Sequence, residues 1–391
     1  MKKFIYITLL FIAFSALIKL PVLKYSHTEP DELIYWQLAE NLIKTGHYTL
    51  QGTQILSQLS PNMYDYPLFH YPPLFPVLLV PFVLFGLPKL AILISWLGHF
   101  LCIAGVAIFG RYIVLEKSSS SPLSPAFWVP LLAISVDPFM TFISRKLWID
   151  SIMSGLIVFS IALAYAGTKK EKPENFFLVS GLIFGLSVLL KPQALIAFPL
   201  FAYLLVGMGY KIRNILFFGL PVLFLNLPWF IIFYMEYGVF FASWIKPDEW
   251  LLNHSSFIRT AVERPFYYYI KEIILIQPLI VLCAVYYLRL KSKLTKPELI
   301  FPVFWFFLYI FVFSFLGVLN YGFQMRHIGP SYAGIYVIMY SIFNNSDEQP
   351  SFFIILGVLF IVYAAMSGGV FIFSPNTDEI SGMLQILGVI K

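Results

Sequence analysis

An all-α polytopic membrane protein is the fold class this sequence predicts, and three observations predict it. Of its 391 residues, 59% are hydrophobic and 12% charged, whereas a soluble domain carries about a quarter charged residues. The apolar residues fall in long runs, many near the ~20 residues that cross a bilayer. The lysines and arginines sit in short segments between those runs. The net charge of +6 therefore reads as a set of topology signals and points to no nucleic-acid partner.

Taken in order, the apolar runs give about eleven transmembrane helices: 4–23, 90–114, 126–143, 151–167, 176–191, 192–209, 212–234, 270–290, 299–319, 327–343 and 351–373. The N-terminus, with two lysines before an apolar core, has the look of a signal peptide. Its apolar run continues to Val22 without a small-residue cleavage site, so it reads as an uncleaved first span. With Lys2 and Lys3 inside, the loops bearing Arg111 and Lys117, then Lys169, Lys170 and Lys172, then Lys211 and Arg213, then Arg289 to Lys296 are all cytoplasmic. The acidic segment Asn344–Pro350 breaks that pattern.

The run "PPLFPVLLVPFVLFG" at 72–86 has about fifteen residues and internal prolines, too short for a span. It reads as a re-entrant or interfacial helix. Two long outer-face segments remain, 24–89 and 235–269. Positions 1–391 form a single integral-membrane domain without repeats and without a C-terminal soluble domain. Cys102 and Cys283 lie in apolar runs and offer neither a disulfide framework nor metal spacing.

The outer face collects most of the candidate chemistry. In "EPDELIYWQLAENLIKTG" (29–46) the residues Ile34, Tyr35, Leu38, Ala39, Leu42 and Ile43 share one helical face. Pro30 suits the first turn and Gly46 the end. Asp31 and Glu32 thus open an interfacial helix, whose dipole favours an ionised carboxylate. Such a group can act as a base toward an acceptor hydroxyl; it can equally be a plain helix cap. Asp150 opens a later span on the same side. Lys191, before Pro192, and Arg326 with His327 are cations at span ends, open to a snorkelling reading or to contact with an anionic head group. Arg259 follows His254 in the second outer segment. Pro247–Glu249 repeats the "PDE" triplet, and Asp31 is preferred over Asp248 because it follows the first span and opens a long amphipathic helix. His99 and Asp137 fall inside spans. The first reads as a hydrogen-bonded core residue, the second as the cap of a helix broken at Pro138.

Several motifs, in order, resemble one family. "DELIYWQLAENLIKTGHYTLQG", "FHYPPLFPVLLVPFVLFG", "SRKLWIDSIMSGLIVFSIALAY", "GLIFGLSVLLKPQALIAFPL", "NHSSFIRTAVERPFYYYIKEI" and "RHIGPSYAGIYVIM" look like successive motifs of GT-C glycosyltransferases of the family-39 type. That group includes the protein O-mannosyltransferases and the lipid A aminoarabinose transferase. The resemblance covers roughly 25–340 and implies a GT-C fold with a polyprenyl-phosphate-sugar donor. It implies Asp31 as catalytic base and Asp150 as a second acidic residue near the acceptor. Glu32, Tyr71, Lys191, Arg259 and Arg326 would line the donor site. One branch binds a divalent metal through a Glu and a His; here those positions read His70 and His254. The Lys of that branch is Tyr71 here, and no C-terminal periplasmic domain follows.

The donor class also has a physical rationale. An outer-face site has no access to cytoplasmic nucleotide sugars, and the chain contains no G-x-G-x-x-G or P-loop. The expected activity is inverting transfer of a hexose or pentose to a glycan, lipid or protein hydroxyl, at the extracytoplasmic face of the plasma (inner) membrane. Two alternatives use the same composition: a transporter or flippase of lipid-linked glycans, and an O-antigen ligase or polymerase. A transporter would place its charges near the midplane, often within inverted repeats. A ligase would centre on a late outer loop.

Overall fold

The computed structural model describes residues 2–25, 29–53, 67–116, 121–240 except 208, 265–289 except 277 and 278, 296–318, 325–345, and scattered positions between 354 and 369. The described residues form helices and turns, with no strand among them.

Helix α1 (Lys2–Lys19) leads into a 3-10 turn at Leu20–Lys24. Helix α2 (Pro30–Thr45) has Pro30 in its first turn, as its sequence predicts, and stops at Gly46 in the left-handed conformation (φ 72°), where a side chain would be strained. Its buried face carries Ile34, Tyr35, Leu38 and Ala39. The start of α2 is closed by a reciprocal capping box between Glu29 and Glu32, which satisfies two backbone N–H groups at once.

Helix α3 (Leu74–Leu84) packs beside α2. Its 11 residues reach about 16 Å at 1.5 Å per residue, roughly half a bilayer core. Cysteines substituted at Tyr71 and Lys89 should therefore react with a membrane-impermeant thiol reagent added to one side. Background reaction is low because Cys102 and Cys283 are buried. Labelling of the two positions from opposite sides would invert the topology.

Helix α4 (Leu93–Gly110), extended by a π-turn at Arg111–Leu115, lies along α7 (Ile149–Gly167). Their contact is backbone to backbone. A Cβ on Gly155 would stand 2.2 Å from the Gly98 carbonyl oxygen, and one on Gly98 2.2 Å from that of Ser151. Small residues let membrane helices approach this closely. Gly155→Ala should cost about 1–3 kcal/mol, the range for overpacking a core, read as a lowered melting temperature of the purified protein; unchanged melting would show that the helices can part.

The run 126–143, expected as one span, is two helices, α5 (Pro125–Ser135) and α6 (Pro138–Ser144). Pro138 cannot donate to the Ile134 carbonyl. Asp137 caps the new start, its Oδ1 accepting from the Met140 N–H at 2.7 Å. His99 Nε2 lies 2.8 Å from the Ile134 oxygen, so that bond takes Nε2 as donor and leaves Nδ1 to meet the Lys19 ammonium. Tyr336 donates to the other Asp137 oxygen. A buried polar chain thus links α1, α4, the α5–α6 break and the later helix that carries Tyr336.

Helix α8 (Glu174–Leu190) ends at Lys191, whose extended backbone (φ −155°, ψ 121°) precedes Pro192. Residues before proline avoid the helical region. A 3-10 segment, Pro192–Ala197, and helix α9 (Phe198–Leu205) follow. Helix α10 (Ile212–Tyr237) packs on α8. Helices α11 (Tyr268–Ile276), α12 (Leu279–Arg289), α13 (Lys296–Val318) and α14 (Gly329–Asn345) complete the described chain, with a 3-10 turn at Met325–Ile328 just before α14.

Among the described residues, five helical stretches are long and apolar enough to cross a membrane: Lys2–Lys24, Pro88–Leu115, Pro125–Ser144, Ile149–Gly167 and Ile212–Tyr237. This makes the chain a multi-pass membrane protein. The expected eleven spans do not all appear as such. The 192–209 run is a 3-10 segment with a short helix, 176–191 is a helix of 17 residues, and most of 351–373 lies outside the described residues.

Candidate active site

Four interruptions of helix meet at one place, and each delivers a charged side chain. The start of α2 brings Asp31, the start of α7 brings Asp150, the end of α8 brings Lys191, and the 3-10 turn before α14 brings Arg326. Lys191 Nζ donates to Asp150 Oδ1 at 2.9 Å. Arg326 Nε lies 3.6 Å from Asp150 Oδ2, and its Nη1 lies 2.6 Å from Asp31 Oδ2. The four form an alternating chain, Asp31–Arg326–Asp150–Lys191, with two charges of each sign.

The two ends of this chain differ. The Lys191 and Asp150 side chains are 5% and 1% exposed, while those of Arg326 and Asp31 are 18% and 38% exposed. A buried ion pair is costly to break because one partner stays behind uncompensated. An accessible pair contributes roughly 0–1 kcal/mol and exchanges readily. Asp150 is thus a fixed anchor and Asp31 an accessible carboxylate. Burial alone would loosen the proton of Arg326, but Asp31 and Asp150 outweigh it and raise its pKa above the ordinary value.

Glu32 is buried and turned toward protein. One oxygen accepts from the Leu147 N–H at 2.7 Å, the other from the Glu29 N–H at 3.2 Å. Those bonds tie the start of α2 to the segment that launches α7. Glu29 joins them, meeting Lys146 as an ion pair and accepting from the Trp148 indole at 3.1 Å. Sequence reading missed Glu29, Lys146 and Trp148 as site residues, although Glu29 opens the stretch 29–46 and the other two stand inside the motif that holds Asp150. Tyr71 lies beneath Lys191, whose ammonium is 5.9 Å from its ring centroid. His327 is buried against Phe313 (centroids 4.8 Å), and its Nδ1 has no hydrogen-bond partner among the described residues.

His70 packs against Phe69 and Tyr71 at centroid distances of 4.5 and 4.3 Å. Burial, and then the Lys191 charge, lower its pKa to about 4. A neutral imidazole is the form that binds metal. Among the described residues, however, no group of three or more His, Cys, Asp or Glu is placed to hold an ion. His254, the second ligand that the motif resemblance implied, lies outside the described residues, as do Arg259 and Asp248.

No protein-family model and no curated protein sequence matches the chain. Two solved structures do match in fold. One is the crystal structure of ArnT from Cupriavidus metallidurans in the apo state, with TM-score 0.62 and 14% identity, covering 85% of this chain. The other is ArnT from the same organism bound to undecaprenyl phosphate, with TM-score 0.61 and 13% identity, covering 97% of this chain. The chain spans 59% of the first and 72% of the second. Identity this low carries the architecture alone: the helical arrangement seen here is similar to the fold of ArnT.

Proposed function

We propose that this protein is an integral-membrane glycosyltransferase of the GT-C type. It moves a hexose or pentose from a polyprenyl-phosphate-linked donor to a hydroxyl of a glycan, lipid or protein acceptor. The observation that carries the reading is the convergence of Asp31, Arg326, Asp150 and Lys191 from four helix breaks. An accessible carboxylate next to two anchored cations suits a reaction that takes a proton at one atom and releases a phosphate beside it. The undecaprenyl phosphate bound in one ArnT structure supports a lipid-phosphate donor.

The step is a direct displacement. Asp31 accepts the acceptor's hydroxyl proton as the acceptor oxygen forms its bond to the anomeric carbon. The bond from that carbon to the phosphate oxygen breaks, and its electron pair stays on the departing polyprenyl phosphate. Attack from the opposite face inverts the anomeric centre. Arg326 and Lys191 stabilise the charge that grows on the phosphate, which lowers the barrier. We assign to Asp150 the anchoring of both cations, to Glu32 the placing of Asp31, and to Tyr71 a wall of the phosphate site. No step runs through a metal.

We place the site on the extracytoplasmic face of the plasma (inner) membrane, in a single domain with outer segments 24–89 and 235–269 and the full complement of about eleven spans. Arg259, near the aromatic run Phe266–Tyr269, would grip the phosphate with two parallel hydrogen bonds. A lysine cannot reproduce that geometry. Arg259→Lys should therefore weaken donor-lipid binding. Unchanged binding in Arg259→Lys and Arg259→Ala, both folded, would leave Arg259 a snorkelling residue.

The test of the whole reading is a donor screen. Purified protein, a panel of polyprenyl-phosphate sugars and mixed acceptors are incubated, and free polyprenyl phosphate is measured. Release with one donor, dependent on acceptor, is the expected result. A transporter would release none.

A further inference from the structure

Trp148 is the last residue before α7 and is 7% exposed. Its indole N–H donates to Glu29 Oε2 at 3.1 Å, and its ring packs edge-on to Phe142 at 5.4 Å. Its backbone carbonyl accepts from the Ser95 hydroxyl at 3.4 Å. The ring is therefore held from its own backbone, its edge and its nitrogen. It carries two cations: the Arg326 guanidinium at 4.9 Å and the Lys146 ammonium at 5.3 Å from its centroid.

Arg326 is held differently from its neighbours. It makes a close contact to the accessible Asp31 and a longer one, at 3.6 Å, to Asp150. Asp150 already accepts from Lys191. A guanidinium over an aromatic face is attracted to the ring as a whole, so it can turn across that face and keep the attraction. Its carboxylate partner can change while its platform does not.

We propose that Trp148 is a positioning residue that holds Arg326 against Asp31 before the donor binds and carries it to the phosphate when the donor arrives. The inference rests on the glycosyltransferase reading above. Donor arrival then frees the base from its guanidinium partner, so the donor binds first and the acceptor second. The charge balance favours the same direction through the reaction. When Asp31 takes the acceptor proton it loses the charge that attracted Arg326, while the departing phosphate gains one. A base left paired with Arg326 until the donor is present also cannot activate water or acceptor unproductively.

The experiment is carbodiimide-driven amidation of Asp31, read by peptide mass spectrometry, with and without undecaprenyl phosphate as probe. Binding of the probe is followed separately by native mass spectrometry. In the unsubstituted protein, labelling of Asp31 is expected to be slow and to rise several-fold when the lipid binds. Trp148→Phe keeps an aromatic face and should keep this gating. Trp148→Leu and Arg326→Ala should label fast in both conditions. The proposal is overturned if Trp148→Leu retains lipid-gated labelling, or if lipid binds the unsubstituted protein without raising its labelling. If Trp148→Leu fails to fold, the unsubstituted protein and Trp148→Phe still decide, because loss of gating in the phenylalanine variant also overturns the idea. If the lipid does not bind at all, the donor reading falls and the exchange falls with it. Slow labelling in the unsubstituted protein against fast labelling in Trp148→Leu would then still establish that Trp148 holds Arg326 over Asp31.

Discussion

Replacing Asp31 with Asn is expected to lower sugar transfer by about 10²–10⁴-fold or more, the usual contribution of a positioned base, while the protein still folds and still binds donor lipid. The structure explains why the fold should survive. The start of α2 is capped by Glu29 and Glu32, not by Asp31. Loss of the Asp31 charge removes a favourable dipole interaction of roughly 0.3–1 kcal/mol and one accessible ion pair. Asn fills the same volume and cannot take a proton at neutral pH. Transfer near that of the unsubstituted protein would disqualify Asp31 and make Asp248, in the second Pro-Asp-Glu triplet, the candidate base.

Asp150→Ala should damage both stability and activity. Its carboxylate accepts from Lys191 in a pair almost closed to solvent. Removing one partner leaves a buried ammonium without its counter-ion, a cost of about 3–5 kcal/mol. The double variant Asp150→Ala, Lys191→Met removes both charges and should recover much of the melting temperature. It should not recover transfer, because Arg326 has lost one of its two carboxylates and the phosphate site one of its cations. A melting temperature in Asp150→Ala equal to that of the unsubstituted protein would mean that the pair is not an anchor. Recovery of transfer in the double variant would mean that it is not part of the site.

Much of the local structure could be read from residues whose chemistry is strictly local. Pro30 and Gly46 bracket α2, and the apolar face between them is the buried one. The prolines and the length of 72–86 mark a helix too short to span. Pro138 marks the break that Asp137 caps, and Pro192 marks the break at Lys191. The eleven-span count was less legible, because hydropathy registers composition and passes smoothly over a missing N–H. The run at 192–209 looks continuous by that measure and is a 3-10 segment followed by a short helix. The site's supporting contacts were hidden for another reason. Glu29 and Trp148 are 119 residues apart, and Glu32 and Leu147 are 115 apart. Nothing in a local pattern pairs them. Asp150 shows the limit most clearly. The lysine on one of its oxygens and the arginine near the other come from distant parts of the chain.

The contact between Lys19 and His99 has a consequence for assembly. The two residues are 80 positions apart, and His99 in turn bonds to a carbonyl near the Pro138 break. Translation therefore delivers the lysine long before its partners. Until they arrive, the end of α1 cannot sink into hydrocarbon without a charge penalty, roughly 2.5–3.5 kcal/mol at a helix centre, so its ammonium waits at the head-group level. Only when the fourth and fifth helices are in place does the side chain gain His99 as an acceptor beside the Ser15 hydroxyl of its own helix. The first helix is then drawn to a fixed depth, as a late latch rather than an early anchor. A chain truncated before His99 should hold α1 shallower than the complete protein does.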